Sequence, residues 1–453
     1  MGLLIGVGDS RPQSAYDYWY GIEWDVTVSN PHPTRIGKKE LHKELPLQNM
    51  MRGCLLKDDG SVNYYLHAND STKRDNGANA NLSGADGQVM VELPDVYIRF
   101  ERDGNKCRAL MSPQELPGFI LWKKDYISMF EASVQRSANK LCSVVNATAD
   151  YRGGNNTTAY DGKSNTLIGR PATNISLNAF RTYARNRGAK AWNCNTYSVH
   201  RKLWWLFAIE YCTFNSQEAY NAELTTEGYH QGGLGDGVTT LDWGKWSTFN
   251  GNNPFVPCGF TNSLGNHSGY IEYTMPAEYD ATTKKVQVNR YRGVELPFGH
   301  VWKWTDGCKC MIQSDTDGGL SKFYVSDDVN AFKEGGVDGY DYRGNLPRKE
   351  GYVKEILLGE NGEMMPLSVG GGSTTYFCDY FYTNIPTSGT AERGVLFGGA
   401  AHDGAFAGFV YAYTASTAST ADAYFGSRLC YIPQGQIEAR PNRGHSKNGK
   451  LKT

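Results

Sequence analysis

The chain has 453 residues, 40% of them hydrophobic and 21% charged, so it is long enough for two or three domains and is not disordered overall. A net charge of −1 gives no global electrostatic support for binding a polyanion, and no window approaches the roughly 20 apolar residues of a membrane helix. Gly (52) and Tyr (29) are abundant, which indicates a turn-rich, mainly β protein with a large aromatic surface.

The first part of the chain, residues 1–88, is interpreted as a β-rich attachment or assembly region. Its start, MGLLIGVGDSRPQ, has neither a basic run nor a long apolar stretch, so we expect no secretion signal and folding in a cytoplasm. The polar stretch 69–87 predicts a long loop or linker, and we place a domain boundary near residue 88. The region opens with an aromatic run, Tyr16, Tyr18, Trp19, Tyr20 and Trp24.

Strands and two helices are predicted after this boundary. Apolar and polar residues alternate through 89–93 and 96–100, which indicates strands. Ser176 begins a predicted amphipathic helix that Gly188 ends. A second helix, from about 196 to 213, is apolar nearly all round and is therefore expected to be buried. After Gly232 only short β segments follow, so the predicted fold class is α+β, with two helices inside a loop-rich β framework.

The cysteines show no CxxC pair, and Cys308 and Cys310 are too close together for a zinc knuckle, so reduced packing cysteines are expected. The sequence DTDGG at 315–319 is similar to part of a calcium loop, to which Asp338 and Asp341 could add oxygens. No Glu follows at the twelfth position, and acidic glycine turns are common. We therefore expect no cofactor, with calcium as the alternative.

Several other groups allow two interpretations. Arg181, Arg185 and Arg187 either bind an anion or pair with framework carboxylates and carbonyls, and the second is favoured. His300 is interpreted as a core histidine. Trp243 and Trp246 belong either to the core or to the edge of a binding face.

A set of segments between about residues 88 and 433 carries a family resemblance. The segments are RTYARNRG (181–188), HRKLWWLFAIEYCTFNSQ (200–217), GLGDGV (233–238), NPFVPCGFTNSLGN (253–266), YRGVELPFGHVWKWTDG (291–307), RGVLFGG (393–399) and GSRLCYIP (426–433). In this order they resemble the variable proteins of diversity-generating retroelements, which implies a C-type-lectin-like fold of the formylglycine-generating-enzyme type over residues 89–433. The N-terminal region looks like part of tail-fibre proteins from prophages of Bacteroides-like bacteria, and the family implies a receptor-binding protein of a phage tail.

An enzymatic alternative comes from the same resemblance, because formylglycine-generating relatives oxidise a cysteine through a cysteine pair near the C-terminus. Cys430 lies in that neighbourhood, but the residue five before it is Phe425 and its nearest cysteine in sequence is Cys378. The pair is missing, so we expect no enzyme activity and a buried framework role for Cys430.

The segment 394–427 has an unusual composition. It contains no Lys, Glu, Gln, Met or Trp, which are the residue types that codons ending in C do not encode. Adenine-directed mutagenesis of AAC codons changes the first two bases and would leave such a composition. Aromatic residues are scattered among Ala, Ser and Thr without a sustained period, which favours a binding surface of rigid rings and small polar groups over a core segment. The alternative is an ordinary strand pair with exposed aromatics.

Within this segment, the family's spacing of template Asn codons predicts the variable, ligand-facing positions. Ala401, Gly404, Ala405, Ala407 and Gly408 are predicted to be fixed spacers, and Phe409 and Tyr411 could belong to either class. The predicted ligand-facing residues are Ala400, His402, Asp403, Phe406, Tyr413, Ala415, Ser416, Thr420, Asp422 and Tyr424.

The sequence therefore predicts a phage-tail adhesin, made in the host cytoplasm, that binds a bacterial surface protein or glycan. We expect the N-terminal region to contact other tail proteins, the assembly to be a homotrimer, and neither nucleic acid binding nor membrane insertion. The basic stretch 434–453 is expected to be a flexible tail. The alternatives are a structural tail or baseplate protein that does not bind, and a lectin displayed on a bacterial surface.

Overall fold

The computed structural model describes residues 18–243, 253–276 and 284–433. Tyr16, Trp246 and the predicted tail 434–453 lie outside these ranges. The helices are α1 (Lys39–Glu44), α2 (Pro46–Asn49), α3 (Leu177–Arg185) and α4 (Tyr197–Tyr211). The strands before and between them are β1 (Tyr20–Asp25), β2 (Thr34–Gly37), β3 (Arg52–Leu56), β4 (Val62–His67), β5 (Asp70–Arg74), β6 (Gln88–Leu93), β7 (Val96–Asp103), β8 (Lys106–Ser112), β9 (Ile120–Trp122), β10 (Asp125–Ser128), β11 (Ser133–Gln135), β12 (Lys140–Cys142) and β13 (Trp192–Cys194).

The strands after α4 belong mainly to the part of the chain that carries the predicted binding segment. They are β14 (Gly269–Thr274), β15 (Lys285–Tyr291), β16 (Val294–Glu295), β17 (Trp302–Gln313), β18 (Ser321–Val325), β19 (Asp341–Asn345), β20 (Gly351–Leu358), β21 (Glu363–Val369), β22 (Tyr380–Thr383), β23 (Thr390–Gly398), β24 (Gly408–Thr414), β25 (Phe425–Gly426) and β26 (Leu429–Tyr431).

Three sheets make up most of the framework. A five-stranded sheet has the order β2-β1-β8-β7-β9, and a seven-stranded sheet has the order β13-β26-β10-β6-β3-β4-β5. The nine-stranded sheet runs β19-β18-β17-β23-β24-β22-β20-β21, with β25 pairing in parallel with β17. The protein is therefore β-rich with few helices, which corrects the α+β expectation, because sheet pairing rather than helix packing connects most elements.

The locally predicted elements are confirmed. Strands β6 and β7 cover the two alternating segments, and the Ser176 hydroxyl caps α3 by accepting from the Ala179 amide at 3.2 Å. Helix α4 is buried along almost its whole length, as its all-round apolar pattern predicted. Its charged side chains are buried as ion pairs, because an isolated buried charge is costly. These pairs are Arg201–Glu363 (3.0 Å), Lys202–Asp125 (3.4 Å) and Glu210–Arg292 (2.6 Å).

The predicted boundary near residue 88 falls inside a shared sheet. Residue 88 is the first residue of β6, and β6 pairs with β3 from the N-terminal region and with β10 from the following region. One apolar core cluster includes Tyr20 and Leu55 together with Phe409 and Cys430. The two sides of residue 88 therefore share both a sheet and a core. The stretch 69–87 contains strand β5, so it is not simply a linker.

Candidate functional site

The segment 394–427 crosses the middle of the nine-stranded sheet twice. It includes the end of β23, a short 3₁₀ turn at Gly404–Phe406, strand β24, a loop and strand β25. Strand β24 pairs with β23 on one side and with β22 on the other. Strand β24 of the segment is therefore hydrogen-bonded to a neighbouring strand along each of its two edges.

Framework side chains hold the main chain of the 3₁₀ turn and the start of β24. The Gln217 side-chain amide donates to the carbonyl oxygens of Gly404 (2.9 Å) and Ala407 (2.5 Å). The buried Asp379 carboxylate accepts from the Val410 amide at 2.7 Å. Because these bonds reach main-chain atoms, they do not depend on which side chains the segment carries.

The loop after β24 is held in the same way. The Asn174 amide donates to the Asp422 carbonyl oxygen at 2.8 Å, and the Trp302 amide donates to the Tyr424 carbonyl oxygen at 2.9 Å. A second set of main-chain bonds therefore connects the segment to the chain that precedes α3 and to β17. The backbone is preorganised at both ends of the segment.

Rings from several elements gather on one surface above this backbone. Phe406 packs against Tyr380 with centroids 4.3 Å apart, and Tyr352 packs 5.5 Å from Phe406. Trp302 and Tyr411 lie beneath as a buried pair 4.4 Å apart. We call the partly or fully exposed rings the aromatic face, which consists of Trp243, Tyr352, Tyr380, Tyr382, His402, Phe406, Tyr413 and Tyr424.

The predicted ligand-facing residues divide by exposure. Phe406 is 39% exposed. Ala400 is fully buried and packs in the core cluster that contains Tyr411, so its methyl group does not face a ligand as predicted. Ser416 is also buried, with its hydroxyl 3.4 Å from that of Tyr413. The half-buried members are His402, Asp403, Tyr413, Ala415, Thr420, Asp422 and Tyr424.

Most of the predicted spacers lie at positions that leave little room for a larger side chain. Ala401 and Ala407 are buried, and a Cβ at Gly408 would overlap the Asp379 carboxylate. Ala405 is exposed. The two open assignments, Phe409 and Tyr411, are both buried in the structure.

Sequence reasoning missed the rings that come from outside the segment. Tyr352 is the second residue of β20, and Tyr380 and Tyr382 flank the buried Phe381 in β22. The alternation in Tyr380–Phe381–Tyr382 was the available signal, since it places two rings on one face of a strand. Trp243, which the sequence left open between core and edge, is 54% exposed and packs 4.6 Å from His402.

The charged groups of the segment are few. Burial raises the pKa of the Asp403 carboxyl to about 7, and a hydrogen bond from the Ala400 amide (2.6 Å) opposes that rise. Burial lowers the pKa of His402 to about 4, so this ring is neutral near pH 7. Burial also raises the pKa of Asp422. The segment therefore presents rings and carboxyl groups but no cationic side chain.

The other candidate groups lie in the framework. Arg181 forms a two-pronged ion pair with Asp306 at 2.5 and 3.0 Å, and His300 lies buried 2.7 Å from Glu131. Arg185 donates to the carbonyl oxygen of Val329. These contacts match the framework interpretation of the arginines and of His300. Arg187 donates to the Leu141 carbonyl oxygen and pairs with Asp58.

The carboxylates of the acidic glycine turn at 315–319 bind other groups of the protein. Asp315 pairs with Arg348 at 2.7 Å, and Asp317 accepts from the Gly389 amide at 2.7 Å. In the described ranges, no group of three or more His, Cys, Asp or Glu side chains could hold a metal ion. All ten cysteines are free, and Cys430 is buried.

Comparisons with known proteins give few matches. No family model matches the chain, and no curated protein matches it. Solved structures that match include the Major Tropism Determinant M1 variant and U1 variant, at 12% and 11% identity. Each match covers 84% of this chain and 71% of the other, with a TM-score of 0.25. Similarity at this level establishes neither a shared fold nor a shared function. Among the described residues, no helix is long and apolar enough to cross a membrane.

Proposed function

We propose that this protein is a receptor-binding adhesin of a phage tail and that its aromatic face binds a component of the bacterial surface. The observation that carries the proposal is a surface of rings contributed by separate elements above a main chain that framework side chains hold in place. Exposed aromatic patches of this kind are typical of interaction sites. The family resemblance in the sequence supplies the phage-tail context and a C-type-lectin-like framework.

The preorganised backbone supports a binding role over a purely structural one. Binding to a surface whose main chain is already ordered loses less conformational entropy. Rings such as Phe406 and Trp243 also have exposed area that no described residue covers, although burial would stabilise them. A structural tail protein has no need for such a surface.

The proposal includes diversification of the segment 394–427 by adenine-directed mutagenesis. Half-buried and exposed side chains such as Phe406 and Tyr413 can change while the bonds from Gln217 and Asp379 to the main chain persist. The adhesin would not be an enzyme and would need no cofactor. We further propose a homotrimer, whose avidity would multiply weak single-site contacts, and attachment to other tail proteins through the N-terminal region.

The test is binding of the purified full chain to a panel of bacterial strains, compared with a triple variant, Phe406→Ala, Tyr413→Ala and Tyr424→Ala. We expect the triple variant to lose cell binding while it still unfolds cooperatively near the wild-type temperature. The matched control is Tyr270→Ala with Tyr342→Ala, which removes exposed rings outside the aromatic face and should leave cell binding unchanged.

Two outcomes oppose the proposal. Cell binding that survives the triple substitution would favour the structural-protein alternative. A collapse of thermal stability in the triple variant would mean that these rings are core residues and that the surface has been misassigned.

A further inference from the structure

Asp403 lies between two groups of rings on the aromatic face. Its neighbour His402 contacts Trp243 and Tyr424, at centroid distances of 4.6 and 5.2 Å. On the other side, the Asp403 carbonyl oxygen accepts from the main-chain amide of Phe406 at 3.1 Å, and the Asp403 charge raises the pKa of Tyr411 and of Tyr424, after the larger effect of burial. A carboxyl group is therefore set between aromatic walls.

The Asp403 side chain is only 11% exposed, yet it forms no close ion pair within the described part of the chain. One carboxyl oxygen accepts from the Ala400 amide at 2.6 Å. The other has His402 Nε2 at 3.7 Å, which is beyond hydrogen-bond distance. Because burial keeps His402 neutral near pH 7, it does not supply a counter-charge. Among the residues that the structure describes, the carboxyl group has therefore lost most of its hydration without gaining a cation.

The surroundings of Asp403 are electron-rich. The segment 394–427, to which Asp403 belongs, carries no Lys or Arg. Asp422 adds a second carboxyl group, and Glu350 lies close enough to raise the pKa values of Tyr380 and Tyr382, after the larger effect of burial. Aromatic ring faces carry partial negative charge and attract cations. Both the rings and the carboxyl groups therefore favour a positively charged ligand group.

We propose that the aromatic face receives a basic side chain, arginine or lysine, of a receptor protein, with Asp403 as its counter-charge and neighbouring rings as its walls. This inference rests on the proposed adhesin function and names the chemistry of its partner. A guanidinium group fits best, since it is planar, stacks on rings and is weakly hydrated. The cation would compensate a carboxylate that has already lost most of its hydration.

A protein partner is favoured over an amino sugar by the extent and composition of the surface. The aromatic face includes the pair Trp243 and Tyr424 and the pair Phe406 and Tyr352, and it involves several separate elements. Tyrosine-rich surfaces interspersed with small polar residues are typical of antibody-like paratopes for proteins. The hydroxyl-bearing loop residues Thr417 and Thr420 would supply the adaptable polar contacts of such a paratope.

The inference is tested on the full chain with small probes by saturation-transfer NMR. The probes are N-acetyl-arginine amide, its neutral isostere N-acetyl-citrulline amide, and glucosamine. At pH 8 we expect the arginine probe to bind at least about 10-fold more tightly than the citrulline probe. Asp403→Asn should abolish this preference, and the wild type should lose it as the pH falls to 6. Thermal melting verifies that the variant folds.

The matched control is Asp338→Asn, which removes a 97% exposed carboxylate outside the aromatic face and should keep the preference for arginine. Equal binding of the arginine and citrulline probes would overturn the inference, as would a preference that survives Asp403→Asn or is lost in Asp338→Asn. Tighter binding of glucosamine than of the arginine probe would assign the cation to a glycan and overturn the choice of a protein. If Asp403→Asn retains full cell binding while the triple ring variant loses it, only this inference fails and the adhesin function stands.

Discussion

Tyr382 and Tyr413 lie on the neighbouring parallel strands β22 and β24, and their rings stack with centroids 5.0 Å apart and planes 7° apart. Tyr413 belongs to the segment 394–427, whereas Tyr382 comes from a strand outside it. The strand pairing brings the two rings into one ladder, in which side chains on the same sheet face stack across strands. The proposed binding surface therefore combines changeable rings with rings that diversification of the segment would not reach.

Tyr382→Ala should weaken cell binding by about 10-fold, because it removes a ring that is 37% exposed and supports Tyr413. The loss of stability should be small, about 1 kcal/mol, as for other aromatic pairs at a surface. Cell binding and urea unfolding are the measurements. Tyr342→Ala, in the edge strand β19, is the control and should bind normally. Unchanged binding by Tyr382→Ala would limit the face to the segment itself.

Gln217→Ala should loosen the 3₁₀ turn that presents Phe406. The substitution leaves the carbonyl oxygens of Gly404 and Ala407 without their side-chain donor, at a cost of about 1–3 kcal/mol. Hydrogen exchange should accelerate at the amides of residues 404–407, and cell binding should weaken. Gln231→Ala is the control, since that half-buried side chain donates to the carbonyl oxygen of Glu223, outside the turn. Unaltered exchange in Gln217→Ala would show that the turn is held by other contacts.

Gly408→Ala should destabilise the fold by about 1–3 kcal/mol, because the new methyl group overlaps a carboxylate that the Val410 amide holds in place. The free energy of unfolding in urea is the measurement. Ala405→Ser, at an exposed position of the same turn, should change it by less than about 0.5 kcal/mol. Equal effects of the two substitutions would mean that Asp379 moves freely.

Asp403 should give the protein a measurable pH dependence of stability. Burial raises its pKa to about 7 in the folded state. Between about pH 4 and pH 7 the folded state therefore holds a proton that the unfolded state has already released. This contribution is present at low pH and is lost as the pH rises through 7. Relative to Asp403→Asn, the wild type should therefore lose up to roughly 1.4 kcal/mol per pH unit in that window.

The measurement is the free energy of unfolding of both proteins from pH 4 to pH 8. The difference between them isolates Asp403 from the other titrating groups. A difference that does not vary with pH would indicate that the carboxyl group is hydrated in the folded state and titrates near its ordinary pKa.

Sequencing of the coding region for residues 390–433, in a population grown from one cell, should show substitutions at solvent-reaching positions such as Phe406, Tyr413 and Tyr424. Arg393 and residues 426–430 should stay constant. Ala400, although predicted as variable, should tolerate only small residues because its methyl group is fully buried. A uniform population would contradict active diversification and would leave the binding proposal to the cell-binding assay.

Much of the local structure could be predicted from the residue pattern. The period of apolar residues placed β6, β7, α3 and α4, and the all-round apolar α4 is buried as expected. The sequence placed a domain boundary near residue 88, but β6, which begins at residue 88, pairs with β3 from the N-terminal region. Sheet pairing joins strands far apart in sequence, and a polar stretch such as 69–87 does not reveal whether the chain on each side shares a core.

The sequence by itself determined which residue types the segment 394–427 carries, and hence that it offers rings and carboxyl groups without cationic side chains. Only the tertiary structure decided which of those side chains reach solvent and which rings join them. Ala400 is buried because it packs, just beyond the end of β23, in the core cluster that contains Tyr411. Tyr352, Tyr380 and Tyr382 reach the same surface because β20 pairs with β22 and β22 pairs with β24. Composition depends on the chain alone, whereas exposure and neighbourhood depend on long-range packing.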